Sequence, residues 1–196
     1  IILTKKVYLA LSLAICLFIA YTVFLFSAHN KEPALPVFGK VSPFFLFDEA
    51  GKEFTLQDLD GSIWIANFFF TTCGDICPIM TKNMAALHRS FALVDGVQHV
   101  SITVNPEFDS SSVLKKYAEM FGAAPAKWHF LTGTREEITK LAVESFKIGS
   151  MEEPVFHSAK FCLVDQRGFT RGYYDGVQPG EVSQLFTDAA RLLKER

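Results

Sequence analysis

Residues 63–70 read Ile-Trp-Ile-Ala-Asn-Phe-Phe-Phe, a nearly unbroken apolar run rich in β-forming side chains. A strand of this kind has no polar face to turn to water, so it belongs at the centre of a sheet covered on both sides. It runs straight into Thr71-Thr72-Cys73-Gly74-Asp75-Ile76-Cys77-Pro78. Pro78 suits the first position of a helix, where its missing N–H costs nothing. Met80, Met84, Leu87 and Phe91 then repeat at helical spacing and supply an apolar face. The two cysteines therefore bracket a strand-to-helix turn. In α/β sheets that carboxyl edge is where ligand sites gather.

The remaining pattern fills in an α/β domain. Residues 44–47 and 52–56 flank Asp48-Glu49-Ala50-Gly51 as a β-hairpin, and Leu59-Asp60-Gly61 turns the chain toward the central strand. Residues 97–104 form a second strand. Asp109 is placed to cap a helix through Phe121, with Gly122 just past its end. Residues 128–131 are a short strand. Thr134-Arg135-Glu136-Glu137 is a capping-box pattern opening a helix to about Phe146. Residues 155–164 and 169–174 form two strands around Gln166-Arg167-Gly168, and residues 181–193 a last amphipathic helix. After the hairpin the order is β-α-β-α-β-α-β-β-α, which predicts a thioredoxin-like α/β fold with an N-terminal hairpin extension.

The N-terminus is of another kind. Lys5 and Lys6 precede an apolar run over residues 7–26, with Tyr8 and Tyr21 near its two ends. About 20 residues at ~1.5 Å each span a ~30 Å hydrocarbon core. The lysine bias orients the N-terminus toward the cytoplasm. The competing reading is a cleaved signal peptide. The run is long for one, and Phe26-Ser27-Ala28 is a poor cleavage site. Cys16 follows the bulky Ile15, which argues against a lipid-attachment site. The expected organisation is a membrane anchor over residues 1–28, a tether over 29–40 and the domain over 41–196. The domain then lies on the extracytoplasmic (periplasmic) side of the cell membrane. A net charge of −2 without a basic block gives no sign of a nucleic-acid partner, and none is expected.

That compartment changes what the cysteines mean. Outside the cytosol bare thiols oxidise unless something reduces or ligates them, and four cysteines are too few for a disulfide scaffold of this size. Cys73 and Cys77, four apart, can close a disulfide or offer two soft ligands to copper or zinc. Cys77, at or near the helix start, is expected to feel the positive end of the helix dipole and ionise readily. His157 opens the penultimate strand, which in a thioredoxin-like fold begins beside the cysteine loop. It is the candidate third ligand, against the ordinary fate of a lone histidine satisfied in the core. His29, His88, His99 and His129 have no such placement. Met80 and Met84 read as core packing, and Cys162 as a small buried residue of a strand. Asp75 is a candidate to cap the helix or tune the thiols.

The run 70–78 resembles the metal-binding loop of the SCO/SenC copper-chaperone family. The single apolar N-terminal run, the hairpin around Gly51, Thr103-Val104-Asn105-Pro106-Glu107-Phe108-Asp109, Leu131-Thr132-Gly133-Thr134, and His157-Ser158 ahead of Leu163-Val164-Asp165 also match. The resemblance implies a thioredoxin-like fold that binds copper through Cys73, Cys77 and His157. It further implies help in assembling the copper centre of cytochrome c oxidase. The partners implied are the oxidase copper subunit or another copper acceptor, and a thiol reductant. Some relatives act instead as thiol-disulfide reductases. The chain departs from the usual pattern at several positions. Thr72 stands where histidine is common and Gly74 where proline is. Asn105 replaces an aspartate, Phe108 an arginine, and Phe156 an aspartate before the histidine.

Two readings follow. In the first the protein is a metallochaperone whose reduced cysteine pair carries copper. In the second it is an enzyme, a thiol-disulfide oxidoreductase with Cys73 and Cys77 as catalytic residues, Cys73 attacking and Cys77 resolving. The three-residue spacer, and Pro154 lying three residues before His157, favour metal over exchange. A peroxidase reading rests on Thr72-Cys73 alone.

Overall fold

The computed structural model describes residues 11, 13–22, 33–149 and 158–195. The chain divides into two units, Ile1–Ala34 and Leu35–Arg196. In the first, residues 13–22 are helical with exposed side chains. Among the described residues no helix is long and apolar enough to cross a membrane. Much of the expected span, residues 7–10, 12 and 23–26, lies outside the described residues.

The second unit is built on the run read above as a central strand. Its elements are β1 (Gly39–Lys40), β2 (Phe45–Phe47), β3 (Glu53–Thr55), β4 (Ile63–Phe69), α1 (Ile76–Ser90), β5 (Val97–Thr103), α2 (Ser111–Met120), β6 (Trp128–Leu131), α3 (Arg135–Lys140), β7 (Lys160–Val164), β8 (Phe169–Asp175) and α4 (Pro179–Lys194). One main sheet has the order β1-β8-β7-β4-β5-β6, and β2 pairs with β3 apart from it. β4, β5 and β6 are parallel, while β7 runs antiparallel to β4 and β8 to β7. This is the predicted thioredoxin-like α/β arrangement.

Every residue of β4 is buried, because alternate side chains enter different cores. Ile63, Ile65 and Phe69 pack with Met80, Met84 and Leu87 of α1, Leu114 of α2, and Leu185, Ala189 and Leu192 of α4. Trp64, Ala66 and Phe68 pack on the other face with Ile138 of α3, Leu141, Phe146 and the hairpin residues Leu46 and Phe54. The expected apolar face of α1 is therefore core, and Met80 and Met84 are fully buried. The capping box at the start of α3 forms, with the Thr134 hydroxyl accepting from the Glu137 amide and the Glu137 carboxylate returning to Thr134.

The hairpin protects an edge. β6 ends the sheet, and an unpaired strand edge invites association. Phe47 exchanges backbone hydrogen bonds with Thr132 at 2.7 and 2.8 Å. The Glu49 carboxylate accepts from the Phe130 amide at 2.9 Å, and the Ser111 hydroxyl donates to the Asp48 carbonyl at 2.8 Å.

Three expectations change. Gly39 and Lys40, expected in the tether, pair with Thr170 and Phe169 as β1. The Arg171 guanidinium holds the preceding carbonyls of Leu35 and Pro36 at 2.7 and 3.0 Å while paired with buried Asp165 at 2.9 Å. These contacts tie residues 35–40 to the domain. The helix after the cysteines begins at Ile76, with Asp75 as N-cap, so Pro78 occupies its third position rather than its first. Ser110, not Asp109, occupies the N-cap of α2.

Candidate functional site

β4 delivers the chain to its carboxyl end, and Phe70 begins the turn. The Cys73 amide donates to the Phe70 carbonyl at 3.2 Å, closing a tight loop before α1. Both cysteines are free thiols, and both face the core between β4 and α1, Cys73 at 8% exposure and Cys77 at 4%.

The two thiols are electrostatically unlike. Burial pushes the Cys73 thiol up, but the amides of Cys77, Asp75 and Ile76 converge on its sulfur, together with a hydrogen bond from the Cys77 side chain. Their sum holds Cys73 below the ordinary thiol value. These amides belong to the first turn of α1, which has no intrahelical acceptor for them. The Asp75 side chain makes no cap bond, so the Cys73 sulfur takes the acceptor role at this helix end. Burial dominates at Cys77 and pushes it up to about 12; the Phe70 amide opposes this, while Cys73 and Asp109 add to it. The expectation that Cys77 ionises readily is thus reversed. Its place in the first turn aims its own N–H at Cys73, and its sulfur lies in the core.

The loop is held from a distance. Asp109 is fully buried. Its carboxylate accepts from the Thr71 amide at 3.0 Å, from the Thr71 hydroxyl, and from the Thr103 hydroxyl at 2.6 Å. Its own amide returns to the Asn105 carbonyl at 2.9 Å. Reading Asp109 as a helix cap missed this role. The available signal was a polar cluster, Thr103, Asn105 and Asp109, directly after a strand whose end must meet the cysteine turn. Below the pair, the Thr81 hydroxyl donates to the Cys77 carbonyl at 2.8 Å and lies 3.0 Å from the Tyr117 hydroxyl. The Tyr117 ring stacks at 5.3 Å on Phe69.

Cys162, His88, His99 and His129 lie away from this cluster. His157 lies outside the described residues. β7 enters antiparallel beside β4, Phe161 opposite Asn67, so the chain joins β7 at the sheet end where β4 leaves for the cysteines. Cys162 is completely buried in β7. His88 and His99 sit in an aromatic cluster, 5.2 Å apart between ring centroids and each facing Trp128. His129 bonds Gln98 at 3.0 Å. Among the described residues no three of His, Cys, Asp and Glu come together as a metal cluster.

The domain is thioredoxin-like and carries a reduced, asymmetric thiol pair at its central strand-to-helix turn. The sequence pattern of the SCO1/SenC family matches residues 36–194, and the chain belongs to that family. It is 33% identical over 172 residues to the SCO1 protein homolog of Bacillus subtilis (strain 168), covering 85% of this chain and 89% of that one. Its fold matches that of BsSco, a member of the Sco family of cytochrome c oxidase assembly proteins in which a disulfide switch has been identified. The TM-score is 0.72 at 30% identity, over 84% of this chain and 100% of that one. It also matches Arabidopsis thaliana ScoI, solved with copper bound. There the TM-score is 0.66 at 28% identity, over 81% of this chain and 100% of the other.

Proposed function

We propose that this protein is a membrane-anchored copper chaperone that holds copper through Cys73, Cys77 and His157 and delivers it to cytochrome c oxidase. The observation that carries the reading is the thiol pair itself, two hydrogen-bonded sulfurs with helix-end amides converging on one of them. Copper is cargo here, and its soft Cu(I) form suits thiolate donors with an imidazole nitrogen as a third ligand. The fit rests on donor chemistry, since the sulfurs already share a hydrogen bond and the helix-end amides ease ionisation of Cys73. His157 is the proposed third ligand, its imidazole nitrogen completing the set that the two sulfurs begin. Handover proceeds by ligand exchange, the acceptor's donors replacing the chaperone's at the exposed side of the loop. Oxidation of the pair to a disulfide removes both thiolates, so redox state gates loading. The apolar run over residues 7–26 tethers the domain to the extracytoplasmic face of the membrane, where the acceptor is assembled.

A copper titration of the reduced chain tests this. It should bind about one Cu(I) per chain, and His157→Ala should weaken binding at least tenfold. An unchanged affinity in that variant removes His157 from the ligand set, and no Cu(I) binding by the native chain overturns the reading.

The thiol asymmetry favours one second reading, thiol-disulfide exchange. The Cys73 thiolate would attack a target disulfide and release one target thiolate. Cys77 would then attack the Cys73 sulfur and release the other, leaving an internal disulfide for a thiol reductant to reset. Reduction of an oxidised oxidase copper subunit that is lost in Cys73→Ser yet unaffected by His157→Ala would select this reading.

A further inference from the structure

Apolar side chains stand among the exposed residues Thr72, Gly74 and Asp75 of the cysteine loop and its flanks. Phe108 is 56% exposed and Ile79 49% exposed, while Phe70 and Ile76 pack half-buried against the cluster that contains both cysteines. One outward phenylalanine is ordinary on a protein surface. Phe108 differs in how firmly it is presented. Its amide donates to the Asn105 carbonyl at 3.1 Å. On one side Glu107 is gripped by the Arg135 guanidinium through two bonds, one of them 2.7 Å from Nε. On the other side Asp109 is buried and bonded to Thr71, two residues ahead of Cys73. The segment that carries the ring is therefore pinned to the segment that leads into Cys73. An anchor ordered beforehand loses little freedom on binding. The adjoining charges, Glu107 and Arg135, already satisfy each other.

We propose that Phe108 is the partner-recognition residue of the transfer site. Its ring seats in an apolar depression of the copper-accepting protein and sets the approach of that protein's ligands to Cys73. The inference rests on the chaperone reading. An acceptor that takes copper from Cys73 must bring its donor atoms within bonding distance, so its surface necessarily covers the residues flanking the loop. Seating the ring buries apolar area at the centre of the contact, which is where binding energy concentrates.

The test compares copper transfer from the loaded full chain to two acceptors, the apo copper-binding domain of the oxidase subunit and a small Cu(I) chelator. Phe108→Ala and Phe108→Arg should slow transfer to the protein domain about tenfold, while Phe108→Leu keeps most of the rate. Cu(I) affinity and transfer to the chelator should be unchanged in all three. Native-like transfer by Phe108→Ala overturns the inference. So does an equal loss toward both acceptors, which would place Phe108 in the copper site or the fold, and so does a native chain that loads copper yet delivers none to the domain. A native chain that binds no Cu(I) brings down the chaperone reading first, a result visible before any variant is made.

Discussion

The Asp109 carboxylate accepts the Thr71 amide at 3.0 Å across 38 residues of sequence. This bond joins the end of β4, the turn after β5 and the cysteine loop into one rigid edge, because the same carboxylate also takes the Thr103 hydroxyl. The loop geometry that brings helix-end amides to Cys73 is thereby anchored outside the loop.

Removing that anchor should be costly. Asp109→Ala leaves the Thr71 amide and two hydroxyls without their acceptor, and an orphaned buried donor costs about 1–3 kcal/mol. A loss of roughly 3 kcal/mol in urea unfolding is expected, with Thr71→Val costing less because the backbone bond survives. Equal stability of Asp109→Ala and the native chain would show that the clamp carries no weight.

The thiols should react unequally. Cys73 is held below the ordinary thiol value and Cys77 is pushed up to about 12, so Cys73 is the more readily ionised of the two. Brief iodoacetamide treatment of the reduced chain at pH 7, followed by peptide mass mapping, should label Cys73 several-fold ahead of Cys77. Preferential labelling of Cys77 would contradict the assignment of the helix-end amides.

Acid should destabilise the fold through His99. Burial, with His88 adding, pushes this histidine down to about 3, while in the unfolded chain it titrates near 6.5. The unfolded state then binds the extra proton between those values. The stability is fully present above pH ~6.5, and as pH falls it declines by about 1.4 kcal/mol per unit toward the folded value. Urea midpoints at a series of pH values from 7.5 to 5 should show a steeper fall in the native chain than in His99→Phe. Parallel slopes would refute the linkage.

Glu49 should control the β6 edge. Its carboxylate is the acceptor for the Phe130 amide, and Glu49→Ala frees that group. Hydrogen exchange at the Phe130 amide should quicken by about tenfold or more, with a stability loss of about 1 kcal/mol. Unchanged protection at Phe130 would mean that the Phe47–Thr132 bridge alone shields the edge.

Much of the site's position could be read without coordinates. Residues 63–70 announce a strand buried on both faces. Met80, Met84, Leu87 and Phe91 announce the helix packed against it, and the cysteines between them can only lie at the sheet's carboxyl edge. These signals are local, since periodicity and capping are written in neighbouring residues. The chain alone could not tell which thiol ionises more readily, because that depends on desolvation and on where the amides of residues 75–77 point. Nor could it tell that Asp109 reaches back to Thr71, that residues 39 and 40 pair with β8, or that Glu49 closes the edge of β6. Each of these contacts spans 30 or more residues, and only packing decides which buried donor meets which acceptor. Sequence placed the two cysteines together at a functional edge, and tertiary structure, by burying one sulfur and pointing three amides at the other, made them chemically different.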